Sequence, residues 1–525
     1  MKNLELEKTW HFVEKWAEQT PDKEALISGD EKITWSQFKI AMDNTALSFL
    51  ELGVNQGDCI AFLAMAQNEF LVSFMAANKV GAMWLGINPK LTLNELRFQL
   101  SDSQPKILIT LKEFMGNDLS ANIDTLLNEF EFLEKILVLD SNWGEHPLLS
   151  EFITAPRTDL IAKLETRTQQ TSSNDSALLM YTSGSTGKPK GVIQTHHSII
   201  SNVEVQNKHF NMHQDSRALL HFPINHVAAD VEIGFAMIMA GGCSVMMDHF
   251  HPVSSLNMIA KEKISILGQM PVMFLLQMKQ PEFQQVDLSS IETFIWAGAA
   301  APKEMVSALS RLVDKSGAKL ITGYGSTETC GFVTYTTHNE KQQRLIQSAG
   351  KIAAPFELKI VDDQRKSLAT GPVGEIAVKG EFIFSSYLNQ KEQTDKVLEN
   401  GWYYTGDLAR IDEDGYIYIS GRKSEMYKSG GENIFPREIE DIIESHTDVI
   451  FAAVIGVPDK LYQEVGWAYI MRRPNSNLSE QDLHDLCSQH LVNYKIPKRF
   501  FIEDSLPLLA SGKINKLALK KRAEK

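Results

Sequence analysis

Tyr181-Thr-Ser-Gly-Ser-Thr-Gly-Lys-Pro-Lys-Gly191 follows the apolar run Ala177-Leu-Leu-Met180 and sets the fold class. Three glycines, two serines, two threonines and two lysines share its eleven positions. Glycines permit positive φ and let backbone N–H groups converge on an anion, hydroxyls add short donors and lysines add charge. A polyphosphate is the matching guest, and this density disfavours the plain alternative of a polar surface loop. The P-loop pattern GxxxxGK[ST] is not met: Thr182 stands at its first glycine, and Pro189 follows Lys188 where a magnesium-binding hydroxyl belongs. Working outward, short apolar runs bounded by turn residues recur at 24–28, 59–64, 106–110, 264–267, 293–296 and 319–322. Continuous apolarity of this kind predicts strands buried on both faces, the habit of parallel sheets under helices. Trp10, Val13, Trp16 and Ala17 recur at helical spacing before them.

After about Gly350 the texture changes. Residues 357–361, 374–379 and 416–420 predict short strands separated by turns. From Arg437 a mixed pattern predicts a helix over 438–445, strands over 449–455 and 466–471, and a helix over 480–490. The best boundary is Gly421–Ser424, where a strand ends in Gly-Arg-Lys-Ser. The chain of 525 residues carries 52 basic and 66 acidic side chains, a net charge of −14 that argues against general nucleic-acid binding. Its four cysteines form no CxxC pair, so neither a disulfide framework nor a cysteine zinc site is expected. The start, MKNLELEKTW, has no apolar core of a secretory signal, and the run Gly234–Met247 is too short to span a bilayer; the expected location is cytoplasmic.

Further segments carry chemistry. Gly323-Tyr-Gly-Ser-Thr-Glu-Thr329 follows a predicted strand, at the end where α/β folds place ligands. Glu328 offers a hard carboxylate suited to Mg²⁺ and Thr327 a hydroxyl for a phosphate; a solvated loop glutamate is the plain alternative. Ala297-Gly-Ala-Ala-Ala-Pro302 lacks bulk and suits either a flat purine or a simple tight turn. Asp407, in Trp402-Tyr-Tyr-Thr-Gly-Asp-Leu408, suits a vicinal diol or a turn. His226, in Phe222-Pro-Ile-Asn-His226, is a lone histidine after a predicted strand, a setting more often structural than catalytic. The following run, 227–247, reads mainly as core, with part of it available to wall an apolar tunnel. Small residues at Gly323, Gly325 and Gly331 are expected to leave space near the site.

From about Trp10 to Lys516 these motifs, in this order, resemble the adenylate-forming superfamily of acyl-CoA synthetases, peptide-synthetase adenylation domains and luciferases. The resemblance implies an α/β fold: a large N-terminal domain, residues 1–423, of helix-flanked sheets with a small β-barrel-like part, and a small mobile α+β domain, residues 424–525, hinged near Ser424. Family members usually carry Asp or Lys at this pivot; a swivel needs tolerant φ/ψ rather than a particular charge. The implied activity is MgATP-dependent formation of an acyl-adenylate from a carboxylic acid, then thioester formation with CoA. A medium- or long-chain fatty acid is the preferred substrate. The alternatives are loading of a carrier protein, a luciferase-type oxygenation, and non-catalytic nucleotide binding.

Carried over residue by residue, the phosphates of ATP fall to Thr182, Ser183, Gly184, Ser185, Thr186, Gly187 and Lys188. Adenine falls to Gly298, Ala299, Ala300 and Tyr324, ribose to Asp407 with Arg422, Mg²⁺ to Glu328, and the α-phosphate to Thr327. Lys428 is placed in the cofactor-binding set, and Gly431 lines the pantetheine tunnel. Lys513, in Ser511-Gly-Lys-Ile-Asn-Lys516, is the catalytic lysine that neutralises charge developing at the α-phosphate, and His226 positions the acyl carboxylate. The cations Lys188, Lys190, Arg422, Lys428 and Lys513 concentrate positive charge against the acidic total. Monomer and homodimer both remain open.

Overall fold

The computed structural model describes residues 6–154, 157–182, 189–299, 301–474, 476–507 and 514–524, Thr154 without its side chain. The chain forms two compact units. The first runs to Glu357 and takes in Lys379–Trp402; the second comprises Leu358–Val378 and the chain from Tyr403 onward.

Two seven-stranded sheets organise the first unit. One runs in the order Lys319–Thr322, Thr293–Trp296, Ile266–Gln269, Arg217–Leu220, Cys243–Met246, Glu24–Ser28, Glu31–Thr34, parallel except for its last strand. The other runs Ser386–Tyr387, Lys190–Thr195, Ser176–Thr182, Met83–Ile87, Cys59–Leu63, Ile107–Thr110, Lys135–Val138. Every residue of Cys59–Leu63 and Met83–Ile87 is buried, as continuous apolar runs in a parallel sheet require. The strand expected over 264–267 sits two residues later, Ile266–Gln269. Ile264 instead ends the Pro252–Glu262 helix connection, its N–H donating to the Ile259 carbonyl.

Lys190 and Gly191, expected inside the phosphate loop, begin the strand Lys190–Thr195, which pairs antiparallel with Ser176–Thr182. Thr195 then caps the helix His196–Phe210: its Oγ1 accepts from the Ser198 N–H at 3.1 Å, and Asn211 ends the helix at φ +59°. The apolar run after His226 divides into a π-helix, Ala228–Phe235, a short helix, Ala236–Ala240, and the strand Cys243–Met246. Gly234 is required there, because a Cβ would lie 2.6 Å from the Ala229 carbonyl oxygen. Phe235 is core, edge-on to Phe12 with ring centroids 5.7 Å apart.

In the second unit Gly374–Lys379, Trp402–Ile411 and Ile417–Arg422 form an antiparallel sheet. A separate sheet joins Glu432–Ile434, Tyr427–Ser429, Gln463–Arg472 and Val449–Asp459, with Arg499–Glu503 parallel to Gln463–Arg472. The helices Pro436–Glu444 and Glu480–His490 contribute Ile439, Ile443, Leu483 and Cys487 to one apolar cluster on this sheet. Lys516–Ala523 contributes Leu519 to another. Lys516 Nζ lies 2.5 Å from Glu425 Oε2 and 2.7 Å from the buried Glu440. Among the described residues no helix is long and apolar enough to cross a membrane.

Candidate active site

Thr293–Trp296 and Lys319–Thr322 are neighbouring parallel strands, with Trp296 opposite Thr322. Their C-terminal ends deliver two candidate segments to one edge of the sheet, where parallel α/β sheets bind ligands. Gly298 takes φ +84° with nothing among the described residues within 4 Å of where a Cβ would sit, and Ala299 is exposed; Ala300 lies outside the described residues.

The Gly323–Thr329 segment is a hairpin held from several sides. The Tyr324 N–H donates to Thr334 Oγ1 at 2.8 Å, and the Ser326 N–H to Thr329 Oγ1 at 2.7 Å. Gln194 Nε2 donates to the Thr327 carbonyl at 2.7 Å, and Asn202 Nδ2 to the carbonyls of Thr329 and Phe332, both at 2.9 Å. The Glu328 carbonyl accepts from the Phe384 N–H at 3.0 Å, and its Oε1 accepts from the Tyr387 hydroxyl at 3.0 Å. Lys190 Nζ sits 4.6 Å from the centre of the same tyrosine ring. Tyr324, Thr327 and Glu328 are half-buried. One carboxylate held by the Tyr387 hydroxyl fits Mg²⁺, which usually takes one or two protein carboxylates and completes its shell with phosphate and water. Among the described residues no group of three or more His, Cys, Asp or Glu forms a metal cage.

The space expected at Gly323 and Gly325 is absent. A Cβ on Gly323 would overlap the Thr334 carbonyl, and one on Gly325 the Gly331 carbonyl. These glycines let backbone strands meet rather than leaving a void. Gly331, at φ +118°, already has Glu232 Cγ 3.2 Å from where a Cβ would sit.

Ser183, Gly184, Ser185, Thr186, Gly187 and Lys188 lie outside the described residues, as does Lys513. Thr182, just before the first group, is half-buried and ends its strand opposite Lys190. His226 is exposed, and its Nδ1 accepts from the Ala228 N–H at 3.1 Å. The neutral ring therefore carries its proton on Nε2.

Within the second unit Asp407 is buried, and its Oδ1 lies 3.1 Å from Arg422 Nε across the sheet. Lys428 is exposed, and its backbone N–H donates to Glu464 Oε2 at 3.1 Å. Gly431 turns between Tyr427–Ser429 and Glu432–Ile434 at φ +89°, with nothing among the described residues within 4 Å of its Cβ position.

Sequence reading missed Gln194, Asn202 and Tyr387, which hold the hairpin. A signal was present for Asn202: Ser198, Asn202 and Gln206 recur every four residues on one helix, and all three are buried. A polar stripe turned inward marks a hydrogen-bonding task rather than a solvated face.

The model of the AMP-binding enzyme family matches residues 13–388, and that of the AMP-binding enzyme C-terminal domain matches residues 438–513. The chain belongs to the AMP-binding enzyme family. The medium-chain fatty-acid–CoA ligase of Escherichia coli strain K12 is 32% identical over 97% of this chain and 89% of its own length. A feruloyl-CoA synthase from an Amycolatopsis species is 30% identical over 96% of this chain and 97% of its own. The solved structure of a Mycobacterium tuberculosis fatty acyl CoA synthetase superposes with a TM-score of 0.77 at 28% identity, covering 98% of both chains.

Proposed function

We propose that the protein is an AMP-forming carboxylate–CoA ligase. It joins MgATP and a carboxylic acid into an acyl-adenylate with release of pyrophosphate, and CoA thiol then displaces AMP. The observation that carries this reading is the Gly323–Thr329 hairpin, which holds Thr327 and Glu328 at the ligand-binding edge of a parallel sheet. The named relatives support CoA as acceptor. Two of them act on fatty acids and one on an aryl acid, which favours a medium- or long-chain fatty acid for this chain.

The residues divide the work by position and charge. Tyr324 and Gly298–Ala300 receive adenine, Asp407 and Arg422 the ribose, and Thr182–Lys188 the phosphates. Thr327 donates its hydroxyl to the α-phosphate, and Nε2 of His226 donates to the acid's carboxylate, which it orients for in-line attack. Glu328 would hold Mg²⁺, which supplies charge neutralisation on the phosphates when bound. Lys513 neutralises the charge that grows on the α-phosphate during attack. Lys428 and Gly431 belong to the CoA-facing loop. We place the functional division at residues 1–423 and 424–525, with the hinge at Ser424.

Pyrophosphate release measured with alkanoic and aryl acids, with and without CoA, tests the activity; acyl-CoA must appear as product, and its absence with every acid refutes the reading. Lys513→Ala is expected to reduce adenylation by about a hundredfold or more while sparing thioester formation from supplied acyl-adenylate. Equal loss in both half-reactions refutes that role.

A further inference from the structure

Asp407 stands on a bulge of the Trp402–Ile411 strand. On one side Glu375 pairs with Leu408 and Ala377 with Tyr404, so Thr405, Gly406 and Asp407 stand opposite Ile376 alone. On the other side Asp407 faces Arg422 and Leu408 faces Gly421, and the register slips again before Ala409. A bulge re-aims the side chains it carries and takes their peptide groups off the ladder. Gly406 turns here at φ +75°, a value that glycine takes without strain. The displaced peptide groups need other partners, because a shielded N–H or C=O without one forfeits its hydration.

Glu375, Lys423 and Thr405 supply those partners. The Gly406 N–H donates to Glu375 Oε1 at 3.0 Å, and the Gly406 carbonyl accepts from the Lys423 N–H at 2.8 Å. Lys423 Nζ donates to the other carboxylate oxygen, Glu375 Oε2, at 3.2 Å, and lies 2.9 Å from Asp363 Oδ1. Glu375 and Lys423 therefore close a ring of hydrogen bonds around Gly406. Thr405 Oγ1 donates to the Ile376 carbonyl and accepts from the Asp407 N–H, both at 3.1 Å. The Glu375 side chain is only 13% exposed, a setting in which charge-assisted hydrogen bonds are stronger than in water. Gly406 immediately precedes Asp407 and Lys423 immediately follows Arg422, so one carboxylate holds the neighbours of both members of the ion pair.

We propose that Glu375 is a positioning residue for recognition of the ribose: by clamping Gly406 and Lys423 it fixes the bulge that aims Asp407 and sets its spacing from Arg422. The inference rests on the ligase reading, in which Asp407 and Arg422 take the ribose, and it adds a residue that acts through them. Without Glu375 the Gly406 N–H loses its acceptor, and the strand is drawn back toward regular pairing. A change of pairing by one residue turns a side chain to the other face of a sheet. A carboxylate displaced by even about 1 Å loses its hold on two vicinal hydroxyls. The adenine and phosphate contacts assigned to other segments are untouched. The signature of the role is therefore selective: the ribose hydroxyls cease to matter, while the rest of the nucleotide is still recognised.

The test uses the full chain with Mg²⁺, CoA and the best acid of the alkanoic and aryl series, and compares ATP with 2′-deoxyATP and 3′-deoxyATP. Pyrophosphate release gives kcat/KM for each nucleotide. The native enzyme is expected to prefer ATP to a deoxy analogue by about tenfold or more, because a site built to hydrogen-bond a hydroxyl rejects the analogue lacking it. Asp407→Ala sets the floor by erasing that preference. Glu375→Ala is expected to cut it to about threefold or less. A purely structural role would lower activity with all three nucleotides alike and leave the ratio unchanged. Lys423→Met, at an exposed side chain, guards against misfolding of the alanine variant. It is expected to lower the ratio partway, and Lys423→Arg to restore it. An unchanged ratio in Glu375→Ala, or in Lys423→Met where the alanine variant does not fold, overturns the inference and leaves the ligase reading standing. A native enzyme without the preference, or a preference that survives Asp407→Ala, overturns the ribose assignment and this inference with it. Release with none of the acids overturns the ligase reading itself.

Discussion

The Tyr387 hydroxyl donates to Glu328 Oε1, and the Phe384 N–H holds the same residue's carbonyl, so both the backbone and the carboxylate of Glu328 are held by partners. Partners of this kind orient a metal-binding group and tune its affinity. Tyr387→Phe keeps the ring beneath Lys190 and deletes only the donor. It is expected to raise the Mg²⁺ concentration needed for half-maximal pyrophosphate exchange about tenfold. An unchanged Mg²⁺ midpoint would remove Tyr387 from the assignment. Glu328 was legible from its motif, but Tyr387 was not, because its |i−j| of 59 leaves no local pattern. The same holds for Gln194, whose amide meets the Thr327 carbonyl at a separation of 133 residues.

At the scale of elements, the glycines of the 323–331 hairpin and of the 297–302 turn look alike in sequence and differ in structure. Gly323 lies where two backbones meet, and an added methyl would collide with a carbonyl that cannot rotate away. Gly298 needs its positive φ, but among the described residues nothing lies within 4 Å of its Cβ position. Gly323→Ala is therefore expected to cost about 3 kcal/mol or more, and Gly298→Ala about 1–2 kcal/mol, in urea unfolding of the first unit. Comparable losses would contradict the close backbone approach. Strand positions were largely readable: 24–28, 293–296, 319–322, 357–361 and 374–379 occur as expected, since buried parallel runs and Gly- or Asp-rich turns announce themselves locally. The π-helix was not, because its apolar composition equally suits an α-helix and only tertiary packing selects the wider turn.

For the whole molecule, buried titratable groups set how stability responds to pH. Burial lowers His196 to about 3, within hydrogen-bond reach of Thr9 Oγ1 at 3.1 Å and edge-on to Trp10. The folded ring binds fewer protons than the unfolded one between that value and about 6.5, so its contribution is whole above 6.5 and is lost as pH falls. Against His196→Gln, the native protein is expected to lose about 2–3 kcal/mol of stability between pH 6.5 and pH 4.5. Glu232 has the opposite sign. Raised to about 8, it binds more protons folded than unfolded, so its contribution falls as pH rises from about 4.5 to 8. Glu232→Gln is expected to flatten that upper window in pH-dependent thermal unfolding, and parallel curves for native and variant would refute the shift.

The sequence by itself determined the family, the order of its motifs, the alternation of buried strands with helices, and the identity of Thr327, Glu328, Asp407 and Arg422 as candidates. Each rests on local spacing, which the backbone's period and turn chemistry make readable. Tertiary structure decided that Gly323 and Gly325 close a gap rather than open one, that Tyr387 and Asn202 hold the hairpin, and that Asp230 is buried, with no hydrogen-bond partner among the described residues, on the same short helix as Glu232. Those are properties of contacts between segments far apart in the chain. Their energies depend on burial and on what stands opposite, and no local pattern encodes either.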